Sequence, residues 1–198
     1  MKLDFQAKFL QPLNKKKNQD EGFTLIELLV VIIIIGILAA IALPSLLSQV
    51  NKGKQAEAKQ NVGSLNRAQQ AYFLENDSFA STVVGVGIGI KTQTVNYRYS
   101  IGADAKPNAA GETYYPAVNN KATALGSTLK SYLGQNFTAE GDAATKEVLT
   151  LGFTCETIKT GPEGVTAVDS APFGTSTDRA CPNPEVDFKD LSGTKRGT

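Results

Sequence analysis

The stretch LLVVIIIIGILAAIAL, residues 28–43, is apolar without a break, and from Phe23 to Leu47 the single charged residue is Glu27. A helix needs roughly 20 predominantly apolar residues to cross a bilayer, so residues 23–47 are predicted to form a membrane-spanning helix. A carboxylate inside such a span costs about 2.5–3.5 kcal/mol on insertion scales and is normally paired and functional. Any fold for this chain must therefore supply a partner for Glu27 and a cover for the apolar surface around it.

The flanks of the run say how it sits. Residues 1–22 carry Lys2, Lys8, Lys15, Lys16 and Lys17 against Asp4, Asp20 and Glu21. This basic leader predicts a cytoplasmic N-terminus, with the rest of the chain on the far side of the membrane. No small-residue cleavage site of the ordinary secretory kind follows the apolar run; the small residue, Gly22, stands before it. Cutting there would leave the span on the mature chain.

Composition narrows the function classes. The net charge of +1 gives no global reason to expect nucleic acid as a partner. Histidine is absent, and Cys155 and Cys181 are the two cysteines. The commonest general base and metal ligand are thus missing, and two thiolates do not complete a four-ligand zinc site. No grouping of Ser, Lys, Asp and Glu makes a triad or a carboxylate pair. The sequence predicts no enzyme, no catalytic residue, no metal and no cofactor.

Residues 48–78 read as the amphipathic continuation of the helix. Leu47, Val50, Ala58, Val62, Leu65, Ala68 and Tyr72 recur at helical spacing, while Lys52, Lys59, Arg67 and Glu75 fall on other faces. Gly53 and Gly63 weaken the helix, and Asn76-Asp77-Ser78 is the predicted stop. A helix from Phe23 to Glu75 is too long for one small domain to bury, so half of it must meet lipid or other copies of itself.

Residues 79–198 are predicted to form a β-rich head. TVNYRYSI (94–101) alternates, with Val95, Tyr97, Tyr99 and Ile101 on one face. TYYPAV (113–118) reads as a weaker strand at a sheet edge because of Pro116. LKSYLGQNF (129–137) is strand or loop, and TKEVLTLGFTCE (145–156) is a strand. Such antiparallel strands would pack their apolar face on the polar half of the helix. The last 40 residues, with Pro162, Pro172, Pro182 and Pro184, read as ordered loop at best. GVGIG (85–89) reads as a helix-to-sheet link in preference to a phosphate loop. Glu185, Asp187 and Asp190 read as a solvated acidic loop in preference to a calcium site. Asn76 and Asn136 each open an N-x-[ST] glycosylation pattern. Lys52, Lys54 and Lys59 read either as a solvated helix face or as contacts for DNA phosphates.

The stretch GFTLIELLVVIIIIGILAAIALP, preceded by lysines, resembles the N-terminal signature of type IV pilins and the related pseudopilins, and RAQQAYFLENDSFA resembles the same region of cyanobacterial pilins. The resemblance implies an α+β fold: a long N-terminal helix, its first half hydrophobic, packed on a C-terminal antiparallel sheet with a disulfide-closed C-terminal loop. It implies cleavage by a prepilin peptidase between Gly22 and Phe23 and N-methylation of the new Phe23 amine. Glu27 would then meet the Phe23 amine of a neighbouring subunit, each neutralising the other and setting register. Gly36 and Pro44 fall where the family's helix loosens on assembly; the plainer alternative is a kink of a membrane helix. Cys155 and Cys181 are either two free thiols or a bridge, and both export to an oxidising space and the resemblance favour the bridge.

The implied function is structural: the subunit of an extracellular type IV pilus, with twitching motility or phototaxis, adhesion and DNA uptake as consequences. The implied partners are further copies of the chain in a helical polymer, the inner membrane before assembly, the peptidase, an assembly machinery with motor ATPases, and DNA or surfaces along the filament. The alternative reading is a pseudopilin of a type II secretion system, or a minor pilin; a single-span anchored receptor or enzyme is the third class.

Overall fold

Helix α1 runs Leu25–Asn76, and each end is fixed by local chemistry. The computed structural model of the chain describes residues 23–104, 116–140, 148–169, 181 and 188–191. At the C-terminal end Asp77 takes a left-handed φ of 52°, and its N–H donates to Phe73 O at 2.8 Å. That left-handed cap satisfies a carbonyl the helix would otherwise orphan. Asn76 Nδ2 donates to Tyr72 O at 3.0 Å, and Phe79 folds back on Phe73 with ring centroids 4.8 Å apart. The predicted stop is where the helix ends.

The chain divides into two compact units at Leu46/Leu47. The first holds the apolar start of α1. Its large side chains from Leu25 to Leu46 are exposed by between 44 and 79 per cent, so they have no cover from the described residues. Pro44 sits within the helix without ending it. By length and composition α1 is able to cross a membrane.

In the second unit a five-stranded antiparallel sheet has the order β1-β2-β3-β4-β5. Its strands are β1 (Tyr97–Asp104), β2 (Ala117–Ala124), β3 (Lys130–Glu140), β4 (Val148–Thr160) and β5 (Phe188–Asp190), with helix α2 (Gly161–Asp169) between the last two. On one face Tyr97, Tyr99, Ala122, Ala124 and Tyr132 pack with Ala58, Val62 and Leu65 of α1. On the other, Ala117, Leu133, Phe137, Ala139, Phe153 and Cys155 gather with Cys181. Strand β3 is consequently buried on both faces from Ser131 to Ala139.

The predictions for the head need several corrections. Strand β1 starts at Tyr97, and Val95, expected on the apolar face, is 92 per cent exposed in the turn before it. Tyr97 N donates to Thr94 Oγ1 at 3.2 Å and Thr94 N to Tyr97 O at 2.8 Å, so residues 94–97 close a turn. Strand β2 begins after Pro116 and lies between β1 and β3, not at an edge; residues 113–115 lie outside the described set, as do 145–147 before β4. LKSYLGQNF resolves as strand. The tail is not loop alone. Gly161, Pro162 and Glu163 open α2, with proline in the first turn, where its missing N–H is harmless, and with a Lys159–Glu163 ion pair of 2.7 Å. Gly161 has φ 65°, and a Cβ there would stand 2.8 Å from Ser127 O, so the corner requires glycine.

Candidate assembly face of the helix

The register of α1 on the sheet is set by amides. Asn66 Nδ2 donates to Phe153 O at 2.9 Å and to Thr154 Oγ1 at 3.2 Å. Asn120 Nδ2 donates to Asn66 Oδ1 at 2.9 Å, and Asn136 Nδ2 to Asn66 O at 2.7 Å. Gln69 exchanges two 2.9 Å bonds with the backbone of Ala80, fixing the loop after the helix. A one-turn slide of α1 would strand these buried donors and acceptors, each at a cost of about 1–3 kcal/mol. Glycine makes room for the arrangement: a Cβ on Gly134 would stand 2.7 Å from Val62 Cγ1 and closer still to Asn66 Oδ1.

The apolar stripe predicted for residues 47–72 is therefore half right. Ala58, Val62 and Leu65 are fully buried, while Leu47 and Val50 stay exposed. Asn66 and Gln69 are buried in the same face, a feature hydrophobic spacing does not register. Asn136 and Thr138, read as a glycosylation pattern, are buried in β3, so no sugar reaches Asn136 in the folded head.

Glu156 is largely enclosed by the head, its side chain 14 per cent exposed. Lys130 Nζ lies 2.6 Å and Lys59 Nζ 3.6 Å from its carboxylate, and Tyr132 Oη donates to it at 3.4 Å. The carboxylate is held by cations and a phenol, an arrangement that pins β4 to β3 and α1. Burial, then the charge of Glu156 and the neighbouring Tyr97, push the Tyr132 phenol well above its ordinary range. Tyr97 is raised mainly by burial too. Among the described residues no group of His, Cys, Asp and Glu is placed to hold a metal; Glu185 and Asp187 lie outside the described set. Cys155 and Cys181 form a disulfide, Cα to Cα 5.8 Å.

At the other end of α1, Thr24 and Glu27 close a reciprocal cap. Thr24 N and Thr24 Oγ1 donate to Glu27 Oε2 at 3.0 and 2.8 Å, and Glu27 N donates to Thr24 Oγ1 at 3.2 Å. This is the S/T-x-x-E capping box, legible in the sequence as TLIE but missed by the reading of Glu27 as an isolated charge. Both bonds from Thr24 fall on Oε2. Glu27 Oε1 has no hydrogen bond among the described residues. Phe23, the first described residue, is three-quarters exposed, and Gly22 lies outside the described set. Beyond the helix's own neighbouring backbone, nothing comes within 4 Å of where a Cβ on Gly36 would be.

A prokaryotic N-terminal methylation motif matches residues 17–43. The sequence pattern of the family described as Type IV pilin-like G and H matches residues 55–182, more than half of the chain. The chain belongs to this type IV pilin-like family. Over 101 residues it is 39% identical to the type IV major pilin protein PilA of Myxococcus xanthus, covering 50% of this chain and 46% of that one. It is 35% identical over 82 residues to the type IV wide pilus major component PilA4 of Thermus thermophilus, covering 41% and 63%. It is 37% identical over 81 residues to the type II secretion system core protein G of Pseudomonas aeruginosa, covering 41% and 57%. The chain spans about half the length of the curated relatives it matches. No solved structure matches it. As a member of a structural family, this pilin-like protein is not an enzyme.

Proposed function

We propose that this pilin-like chain is the structural subunit of an extracellular type IV pilus. Residues 1–22 are a leader removed by a prepilin peptidase between Gly22 and Phe23, and the new Phe23 amine is methylated. Residues 23–47 hold the subunit in the inner membrane, N-terminus cytoplasmic, until assembly. They then exchange lipid for the same residues of other copies, gaining close packing and polar pairing. A repeated head-to-tail contact that does not close produces a helical filament, with residues 48–78 and the head outside the apolar bundle. Extension is driven by separate motor ATPases, and motility or phototaxis, adhesion and DNA uptake follow from the filament.

The observation that carries this reading is Glu27: one carboxylate oxygen caps its own helix and the other is open among the described residues, on a helix start whose apolar side chains have no cover from those residues. An open anionic oxygen there calls for a cation of another molecule, and the amine created at Phe23 of a neighbour is the cation the processing would supply. Gly36 and Pro44 are the positions where the helix yields when it enters the bundle.

The test is Glu27→Leu in the living cell. Processed subunit should remain in the membrane while sheared surface fibres are lost. Normal fibres from Glu27→Leu overturn the pairing. The similarity to the type II secretion system core protein G keeps the pseudopilin as the second reading; wild-type protein confined to the envelope, absent from sheared fibres, decides for it.

A further inference from the structure

Strand β4 is covered unevenly along its two edges. On one side it pairs with β3 from Val148 to Thr160. On the other, β5 pairs with Cys155, Glu156 and Thr157, and Leu191 N adds a 3.0 Å bond to Thr154 O. Among the described residues no strand lies against this second edge over residues 148–153. The open stretch reads VLTLGF, without a charge or a proline, and its Val148, Leu149 and Gly152 are exposed. An uncharged, β-prone stretch on an unpaired edge is a template for pairing with another chain, and folded proteins cover or charge such edges. The edge also borders a cleft of about 240 Å³, lined by Asn66, Arg67 and Gln70 of α1, by Gly152 and Thr154 of β4, and by Leu191, where β5 stops.

Residues 192–197, SGTKRG, lie outside the described set, but the register of β5 gives the line they would follow. Asp190 stands opposite Cys155 and Lys189 opposite Glu156. The same antiparallel register, carried on without a shift, sets Gly193 opposite Gly152, Lys195 opposite Thr150 and Gly197 opposite Val148. Six residues thus meet the six open positions 148–153. Thr154 O points at Leu191, and direction alternates along a strand, so the N–H and C=O groups of Gly152 and Thr150 point outward on that same side. Thr150 O takes a 3.5 Å contact from Gln70 Nε2 and keeps a second lone pair for a backbone donor. Gly193 would come opposite Gly152 beside the cleft wall of Arg67 and Gln70, where a residue without a side chain fits.

We propose that the open edge of β4 is a docking surface for this chain's own residues 192–197, which continue β5 along it. Three observations select this occupant over another molecule. The segment is tied to the start of the edge through Leu191, which gives it a high effective concentration there. Its length matches the open stretch, and its direction is already set by β5. It also brings Lys195 and Arg196, the kind of charge that blunts a sheet edge and that VLTLGF lacks. Docked, it keeps one head from pairing its sheet with the next wherever heads are crowded together. The proposal concerns the head alone and holds whether or not the chain assembles.

The experiment is amide hydrogen exchange, resolved by residue, on the full chain in detergent micelles. The wild type is compared with a chain stopped after Leu191 and with two single prolines. In the proposed register Lys195 N donates to Thr150 O, so Lys195→Pro removes a bond of the ladder. The N–H of Thr194 faces away from β4, so Thr194→Pro is tolerated as edge prolines are. Stopping the chain, or Lys195→Pro, should speed exchange at Gly152 and Thr150 by about fivefold to tenfold, the worth of one backbone hydrogen bond. Leu151 and Phe153, whose N–H groups face β3, should keep their rates, and Thr194→Pro should match the wild type. Equal rates at Gly152 and Thr150 in the wild-type and stopped chains would overturn the proposal. So would equal effects of the two prolines, which deny the register. Faster exchange that extends to Leu151 and Phe153 would also overturn it, since the segment would then hold the head as a whole and not this edge.

Discussion

Glu27 combines a helix cap with a charge that no cation among the described residues pairs, and a glutamine separates the two. Glutamine still accepts from the Thr24 N–H in a capping box but carries no charge for an amine. Glu27→Gln should therefore be processed and stay in the membrane, yet lose fibres as Glu27→Leu does. Wild-type fibre from the glutamine variant would reduce Glu27 to a cap. The tyrosines give a second prediction at this scale. Tyr97, Tyr99 and Tyr132 are raised in the folded head, chiefly by burial. A phenol that holds its proton more tightly when folded stabilises the head fully below its unfolded pKa of about 10, and that contribution falls as pH rises past it. Spectrophotometric titration should show these three tyrosines ionising only as the head unfolds under alkali. Smooth ionisation of all tyrosines near their unfolded value in the folded protein would contradict this.

At the scale of elements, the weak point is the glycine floor under α1. Gly134→Ala would drive a methyl group into Val62 and Asn66, and overpacking of this kind costs about 1–3 kcal/mol. Chemical denaturation of the head should read a loss in that range; an unchanged midpoint would show that α1 can lift without penalty. The bridge between Cys155 and Cys181 spans 26 residues, and closing such a loop contributes about 3–4 kcal/mol in the chain-entropy picture. Replacing both cysteines by alanine should lower the denaturation midpoint correspondingly.

The same elements show what the sequence exposes to a reader. The helix stop was legible because Asn76-Asp77-Ser78 act locally, and so was β1 from Tyr97 onward, where tyrosines alternate with polar residues. β2 was not, because AVNNKATA buries Asn119 and Asn120, and amides satisfied by Gln135 of β3 and Asn66 of α1 look like surface in one dimension. α2 was masked by the proline and glycine count around it, although Gly-Pro-Glu is itself a helix-opening pattern. Asn66 was unreadable for the same reason as Asn120: its partners are 54 to 88 residues away in the chain.

At the scale of the whole molecule, the chain is divided at Leu46/Leu47 into a part that satisfies itself and a part that does not. The second unit has its own core on both faces of the sheet. The first has none among its described residues, and its exposed isoleucines and leucines state the need for lipid or copies as clearly in the sequence as in the structure. Glu27 stands out in the sequence as the one charge of that run, while its local role as a cap with Thr24 was overlooked beside it. A side-chain-resolution reconstruction of the surface fibre by electron microscopy tests the central claim most directly. The account predicts a subunit that begins at Phe23, with its α-amine within hydrogen-bond reach of the Glu27 carboxylate of an adjoining subunit. A subunit that begins upstream of Phe23, or a Glu27 that faces only its own Thr24, would contradict it.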